Sequence, residues 1–414
     1  MNVLMRYSGF RWVWIGQLLS QLGNAVFYVL GLWEIQLRDP FLLAVAGLAM
    51  TIPALLSLIG GVIVDRYDPR KVMLLTDMVR GTAVLAGLLL LAVPGSLVWV
   101  VIVLLGVESL GSALFYPAET VMIPQMVASQ DLVAANGIYG VTSQLSSAIG
   151  YALGGAAVAA IGIPVIFGWD MSSYWLSALA IWLMMRIVGR PHVSPDADRP
   201  GSGGSGLMTS VVEGWHAFRT IPGLMRLLPW IVLMNFAFVA GIIMLPLWVH
   251  RHLLSGALWY GIVYGAWAGG MVLGGVFSGQ FAKMRLKTAF AAVFGTQVVF
   301  LFAFAGSDWP FLSASMMLGT GICNGVGNAV AMAWWQRIIP PAIRGRVFGL
   351  IMTLFGLASP VGSLAAGILL HVLPLYWAWL LAALGSLGFV IELLRTPGNL
   401  EDMTVHSPPK IAAD

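Results

Sequence analysis

A few acidic residues lie inside otherwise apolar stretches of this sequence, and they are the first candidates for chemistry. They are Glu34, Glu108, Glu119 and Asp170. A low dielectric disfavours the charged form of a carboxyl group, so an acid kept in such surroundings can carry a proton or contact a cation. Glu108 is nearest the middle of its stretch and is the leading candidate for proton or ion coupling. Glu34 and Asp170 lie near the ends of theirs, where an interfacial or capping role fits equally well.

A second charged group combines both signs. Asp77 and Arg80 are three residues apart, which places them on one face of a helix. An unpaired Arg80 inside an apolar span would cost at least about 2.5 kcal/mol. We therefore expect a structural ion pair between them, with a direct role in transport as the alternative.

Other chemistries lack support in the sequence. None of the six histidines has metal-ligand spacing with an acid, and a single cysteine, Cys323, excludes an intrachain disulfide and a cysteine-cluster metal site. There is no phosphate-binding loop for ATP and no nucleophile motif. We expect neither an enzyme nor a bound cofactor or metal.

The elements that position these residues are apolar segments of membrane-spanning length. Hydrophobic residues make up 59% of the 414 positions and charged residues 9%, with a mean hydropathy of +0.90. A soluble protein carries roughly 25% charged residues, so the excess apolar surface must face lipid. The predicted spans are 10–36, 41–64, 72–93, 97–125, 136–162, 164–187, 223–249, 258–282, 286–305, 309–336, 347–369 and 374–394. The sequence predicts an all-α membrane protein with twelve transmembrane helices in two six-helix bundles.

Domain boundaries and orientation follow from the polar segments. The predicted divisions are a bundle over 1–187, a cytoplasmic linker over 188–222, a bundle over 223–396 and a cytoplasmic tail over 397–414. With both termini inside, every Lys and Arg except Arg38 and Arg251 lies in or near a cytoplasmic segment. This bias accounts for the sequence pI of about 9.3 without a nucleic-acid partner.

Glycine patterns repeat between the two halves. Residues 60–65 match 274–279, and Gly150 and Gly155 match Gly362 and Gly367 at a nearly equal offset of half the chain. Parallel repeats of this kind place a substrate site between the halves, near the middle of the membrane.

One loop carries a specific motif. Residues 61–71 read GVIVDRYDPRK, which resembles the loop between helices 2 and 3 of the major facilitator superfamily. Further similarity to the branch of macrolide-efflux proteins and the enterobactin exporter extends over 9–370, including GQLLSQLG at 16–23, DMVRG at 77–81 and RGRV at 344–347. The resemblance implies twelve helices around a central cavity and transport by alternating access.

The residues of this motif suggest a gate. Gly61, Asp65, Arg66, Arg70 and Lys71 form the candidate gating set. Asp65 can pair with Arg66 or Arg70 and hold the cytoplasmic face closed in one state only. A plain positively charged cytoplasmic loop is the alternative.

Two features depart from the exporter branch, in which an Asp often follows the glycine of helix 1. Here Asn24 follows Gly23, and the helix 5 pattern of antiporters has lost its proline. Both changes weaken the inference of proton antiport. Polar and aromatic residues inside the spans are candidates for the cavity wall, with a role in joining helices as the alternative: Gln17, Gln21, Asn24, Tyr28, Gln144, Asn235, Trp267, Asn324 and Asn328.

These observations favour a monomeric secondary transporter of the bacterial inner membrane. We expect export of lipophilic or amphiphilic small molecules, driven by protons or another ion. A lipid or lysophospholipid flippase of the same fold, a non-transporting receptor or scaffold, and solute uptake by proton symport remain open.

Overall fold

The computed structural model describes residues 2–55, 63–64, 66–188, 224–281, 284–338, 359–368 and 373–396. Within these ranges the regular structure is helical and contains no strand. A short N-terminal helix, Asn2–Arg6, precedes the long helices. The long helices are α1 Ser8–Arg38, α2 Leu42–Leu55, α3 Pro69–Leu90, α4 Leu97–Met126, α5 Leu132–Ala160, α6 Ile163–Ile187, α7 Leu224–Arg251, α8 Ala257–Phe281, α9 Leu286–Ala305, α10 Pro310–Ile338, α11 Ser359–Ile368 and α12 Tyr376–Arg395.

Each of the twelve predicted spans overlaps one of these helices, which confirms the all-α membrane fold. Helices are the expected solution, because lipid offers no partner for backbone N–H and C=O groups. Seven described helices are long and apolar enough to cross a membrane: α1, α3, α4, α7, α8, α9 and α12. That all twelve cross stays a prediction, as do the domain bounds, since most of the linker lies outside the described residues.

The helices are described as two sets, α1 to α6 and α7 to α12, and the most extensive contact between the sets joins α5 to α8. In the first set α1 contacts α4, α5 and α6, α3 lies against α4 and α6, and α2 packs on α4. In the second, α8 packs along α10, while α12 contacts α7 and α9. The α8–α10 contact is backbone to backbone, because Gly270 and Gly274 face Gly321 and Gly325. Small residues permit such close helix contacts in membranes.

The two sets meet at the end of α1 that carries Trp33, on the predicted periplasmic side. The Trp33 ring lies 5.7 Å from His250 and 6.1 Å from Tyr260. Nearby, a Cβ on Gly261 of α8 would lie 2.6 Å from the Gly155 Cα of α5, so the two backbones touch. The largest buried cluster accordingly contains residues from both sets.

The predicted cytoplasmic side is packed differently. One buried cluster there includes Phe10, Met73 and Met122 and draws only on the first set and the N-terminal segment. Another, around Val293 and Val326, draws only on the second. Among the described residues, the two sets therefore share a core at one end and have separate cores at the other.

Candidate functional site

A buried ion pair lies at the centre of the first helix set. The Arg80 Nη1 is 3.4 Å from the Asp77 Oδ1, and the two side chains are 5% and 0% exposed. The second Asp77 oxygen accepts a hydrogen bond of 2.6 Å from the Ser177 hydroxyl of α6. Gln17 of α1 contacts the same hydroxyl at 3.4 Å. The pair therefore joins α3 to α6 and α1.

Arg80 also binds α4, which its sequence spacing did not indicate. Its Nη2 donates to the Ser112 hydroxyl at 2.8 Å and to the Glu108 backbone carbonyl at 3.0 Å. The guanidinium approaches α4 where Gly111 has no side chain, since a Cβ at that position would collide with it. The Tyr174 ring lies 5.4 Å from the guanidinium carbon.

Glu108 and Asp170 form a pair of carboxyl groups beside this arginine. The two carboxyl groups lie near enough to interact electrostatically across α4 and α6. The residues are 9% and 0% exposed. Glu108 Oε1 and both Asp170 oxygens have no hydrogen-bond partner among the described residues. Two ionised carboxylates repel each other in a low dielectric, and a proton on one of them would remove this repulsion and let it donate a hydrogen bond.

Glu108 also lines a cavity of about 490 Å³ in the first helix set. Three predicted cavity residues, Gln21, Asn24 and Tyr28, line it as well. Two predicted residues do not belong to this wall: Gln17 is turned toward Ser177, and Gln144 is exposed. The hydroxyl groups of the wall belong to Tyr28, Ser109, Ser112, Ser147 and Tyr151.

The other two acids have separate partners. Glu119, buried on α4, interacts with the Tyr139 hydroxyl of α5. The Gln21 amide donates to the same tyrosine hydroxyl at 3.4 Å, which links Glu119 to the cavity wall. Glu34 pairs with Arg38 one helical turn away at the end of α1. This local pair is compatible with the interfacial role that its position allowed, and that role stays a prediction.

A second cavity, of about 470 Å³, lies in the second helix set. Four predicted residues line it: Asn235, Trp267, Asn324 and Asn328. Gln297 of α9 also lines this cavity and was not among the predicted residues, although it is a lone amide in an apolar span and meets the same criterion. The remaining wall is aromatic and methionine-rich.

A run of aromatic contacts connects the walls of the two cavities. Tyr28 of the first wall lies 5.5 Å from Tyr264, measured between ring centroids. Tyr264 stacks 5.6 Å from Trp267, which lies 5.6 Å from Phe238, and both of these line the second cavity. The two cavities therefore share a boundary of aromatic rings.

The predicted gating loop is described only in part, because Gly61 and Asp65 lie outside the described residues. Arg66 and Lys71 are exposed. Arg70 is buried and binds Asp68 at 2.7 Å and the Val188 carbonyl at 3.3 Å, where α6 ends. Asp68 also caps the first turn of α3. The hydrogen bond from the Arg70 side chain lowers the pKa of Asp68 below its usual value.

Comparisons with known proteins agree with this architecture. The sequence model of the major facilitator family described as a transmembrane secretion effector matches residues 4–397. Macrolide efflux protein A of Streptococcus pyogenes is 25% identical over 370 residues, covering 86% of this chain and 88% of that protein. The multidrug efflux pump Tap of Mycobacterium bovis is 26% identical over 400 residues, covering 93% and 92%.

A solved structure shares the fold. It is a bacterial homologue of the human lysosomal transporter Spinster in an inward-facing and unoccupied conformation. The TM-score is 0.61 at 16% identity, with 94% of this chain and 95% of that chain covered.

Proposed function

Because the chain belongs to the transmembrane secretion effector family of the major facilitator superfamily, we propose that it exports lipophilic or amphiphilic small molecules in exchange for protons. Transport proceeds by alternating access. The efflux proteins similar to this chain support the direction of transport. The chemistry of the first cavity supports the coupling ion.

The observation that carries the proposal is the Glu108–Asp170 pair at the wall of a cavity. Three acids, these two and Asp77, surround the single guanidinium of Arg80. With every group ionised the cluster would hold a net charge of −2 in a low dielectric, which is strongly unfavourable. Protons bound from the cavity neutralise it. Loss of a proton leaves a negative charge that an incoming proton or a cationic group of a substrate can balance.

The contacts between the helix sets support an inward-facing state. The sets touch around Trp33 and the Gly155–Gly261 contact, on the predicted periplasmic side. Rocking of one set against the other would separate these contacts and present the cavities to the opposite side. In that state Asp65, with Arg66 or Arg70, is proposed to hold the cytoplasmic side closed.

Transport in proteoliposomes tests the coupling. Glu108→Gln should abolish accumulation of a radiolabelled macrolide driven by a pH gradient, yet permit exchange of macrolide down its own gradient. Glu34→Gln is the matched control, because Glu34 pairs with Arg38 at the helix end, outside the first cavity wall. Intact pH-driven accumulation in both Glu108→Gln and Asp170→Asn would refute proton coupling at this pair.

One observation favours lipid flipping as a second candidate. An apolar groove of about 330 Å³ lies between α2 and α11, at the seam of the two sets, and has the character of a site for an acyl chain. Its wall consists of Phe41, Ala44, Val45, Leu48, Leu364, Gly367 and Ile368. A fluorescent lysophospholipid in proteoliposomes separates the two functions: a flippase would change its leaflet distribution, whereas a small-molecule exporter would leave it unaltered.

A further inference from the structure

The second cavity has a wall that is unlike that of the first. Its polar groups are the amides of Asn235, Gln297, Asn324 and Asn328, with the serine hydroxyl of Ser359 and the indoles of Trp267 and Trp335. No acidic or basic residue is among its described lining residues. A wall of this kind suits an uncharged molecule with a large apolar surface and a few hydrogen-bonding groups.

Two of these polar groups have no partner among the described residues. Gln297 is 1% exposed, and its side-chain oxygen accepts no hydrogen bond there. The Trp267 indole N–H is likewise buried and unpaired. Buried polar groups in proteins are normally satisfied, and each unmade bond is unfavourable. Ligand hydroxyls can donate to the Gln297 oxygen and accept from the Trp267 N–H.

The Glu108–Asp170 carboxyl pair lies in the other helix set. Glu108 and Asp170 belong to α4 and α6, whereas the lining of the second cavity comes from α7 to α12. The aromatic contacts of Tyr264 with Tyr28 and Trp267 lie between the two walls. A ligand in the second cavity is therefore separated from the carboxyl pair by side chains.

We propose that the cavity lined by Gln297, Trp267, Asn324 and Asn328 binds the uncharged, hydroxyl-bearing apolar part of the substrate, so that substrate and proton bind in different halves. This inference rests on the proposed export function and specifies its substrate class. Proton and neutral ligand then influence each other only through the conformational equilibrium, without direct competition for one site. A cation that binds at Glu108 would instead compete with the proton.

Direct binding to the purified full-length protein tests this assignment. The neutral probe is a polyhydroxylated macrolactone without an amino sugar, and the cationic probe is tetraphenylphosphonium. Gln297→Met keeps the side-chain length and removes the amide. It should weaken macrolactone binding about tenfold, the effect of one lost hydrogen bond, and leave tetraphenylphosphonium binding unchanged. Glu108→Gln should weaken tetraphenylphosphonium binding and leave macrolactone binding unchanged. Gln144→Met, an exposed amide outside both walls, is the matched control.

A second readout distinguishes ligand binding from a structural role. Since the Gln297 oxygen is unpaired without ligand, Gln297→Met should raise the Tm of the ligand-free protein while it weakens macrolactone binding. If the amide were purely structural, its loss would lower both the Tm and the affinity for the macrolactone. Asn328→Leu replaces a lining amide on a different helix and should also weaken macrolactone binding, which keeps the test decisive if Gln297→Met does not fold.

Several results would overturn the assignment. These are no macrolactone binding to the unaltered protein, unchanged binding in folded Gln297→Met and Asn328→Leu, or loss of macrolactone binding in Glu108→Gln. Failure of the proposed function looks different. In that case Gln297→Met weakens macrolactone binding as expected, but proteoliposomes show no macrolide transport.

Discussion

Replacement of Arg80 by methionine should destabilise the protein by about 3 kcal/mol at pH 8. The variant removes the guanidinium 3.4 Å from Asp77, whose side chain is fully buried. Breaking a buried ion pair from one side costs about 3–5 kcal/mol, because an uncompensated charge stays behind. The lower end applies here, since the Ser177 hydroxyl still donates to Asp77 at 2.6 Å.

The free energy of unfolding, measured by denaturant titration in mixed micelles, provides the assay. Asp77→Asn in the Arg80→Met background removes the stranded charge and should recover most of the loss, because replacing both members of a buried pair is often nearly neutral. The deficit of the single variant should also shrink at acidic pH, where Asp77 can take up a proton. A loss below about 0.5 kcal/mol, within the range of ordinary surface substitutions, would refute the role of Arg80 as a buried counter-charge.

Two further predictions concern Asp68 on the predicted cytoplasmic side and Gly261 on the predicted periplasmic side. Arg70 lowers the pKa of Asp68 below the ordinary 3.8, so the ionised Asp68 stabilises the fold above pH 3.8, and this stabilisation is lost as pH falls through the lower folded pKa. Asp68→Ala should therefore cost about 1 kcal/mol of unfolding free energy at pH 7. An equal deficit at pH 3 would contradict this. Gly261→Ala should disfavour the observed contact with Gly155 by about 1–3 kcal/mol through overpacking. Spin-label distances across the periplasmic ends should therefore lengthen relative to Gly269→Ala, whose Cβ would meet nothing within 4 Å, and unchanged distances would contradict the contact.

The helices were predictable because hydropathy and backbone hydrogen bonding act locally. A segment in lipid must satisfy its own N–H and C=O groups, so a long apolar run becomes a helix whatever its neighbours are. Even α4, which contains Pro117 and Pro124, is helical from Leu97 to Met126 as a single element. Prolines that would end a helix in water did not mislead the assignment, because the apolar run continues past them.

The site was predictable only where its partners are close in sequence. Asp77 and Arg80 are three residues apart, so their proximity follows from helix geometry alone. Glu34 and Arg38, four residues apart, are also brought together by helix geometry, although this pairing was not predicted. The partner of Glu108 could not be read in this way, because Asp170 lies on a different helix and their meeting depends on how α4 and α6 pack.

Packing also changes the meaning of Asn24. The sequence shows no acid at this position, which weakened the inference of proton coupling. In the folded chain, however, a Cβ on the preceding Gly23 would lie 3.1 Å from an Asp170 oxygen. Asn24 itself lines the cavity together with Glu108. A carboxyl group therefore lies beside this part of α1 after all, supplied by α6 through the space that Gly23 leaves open. The absence of an acid from one helix is thus a weak argument against proton coupling, because a cavity can receive its carboxyl groups from any helix that faces it.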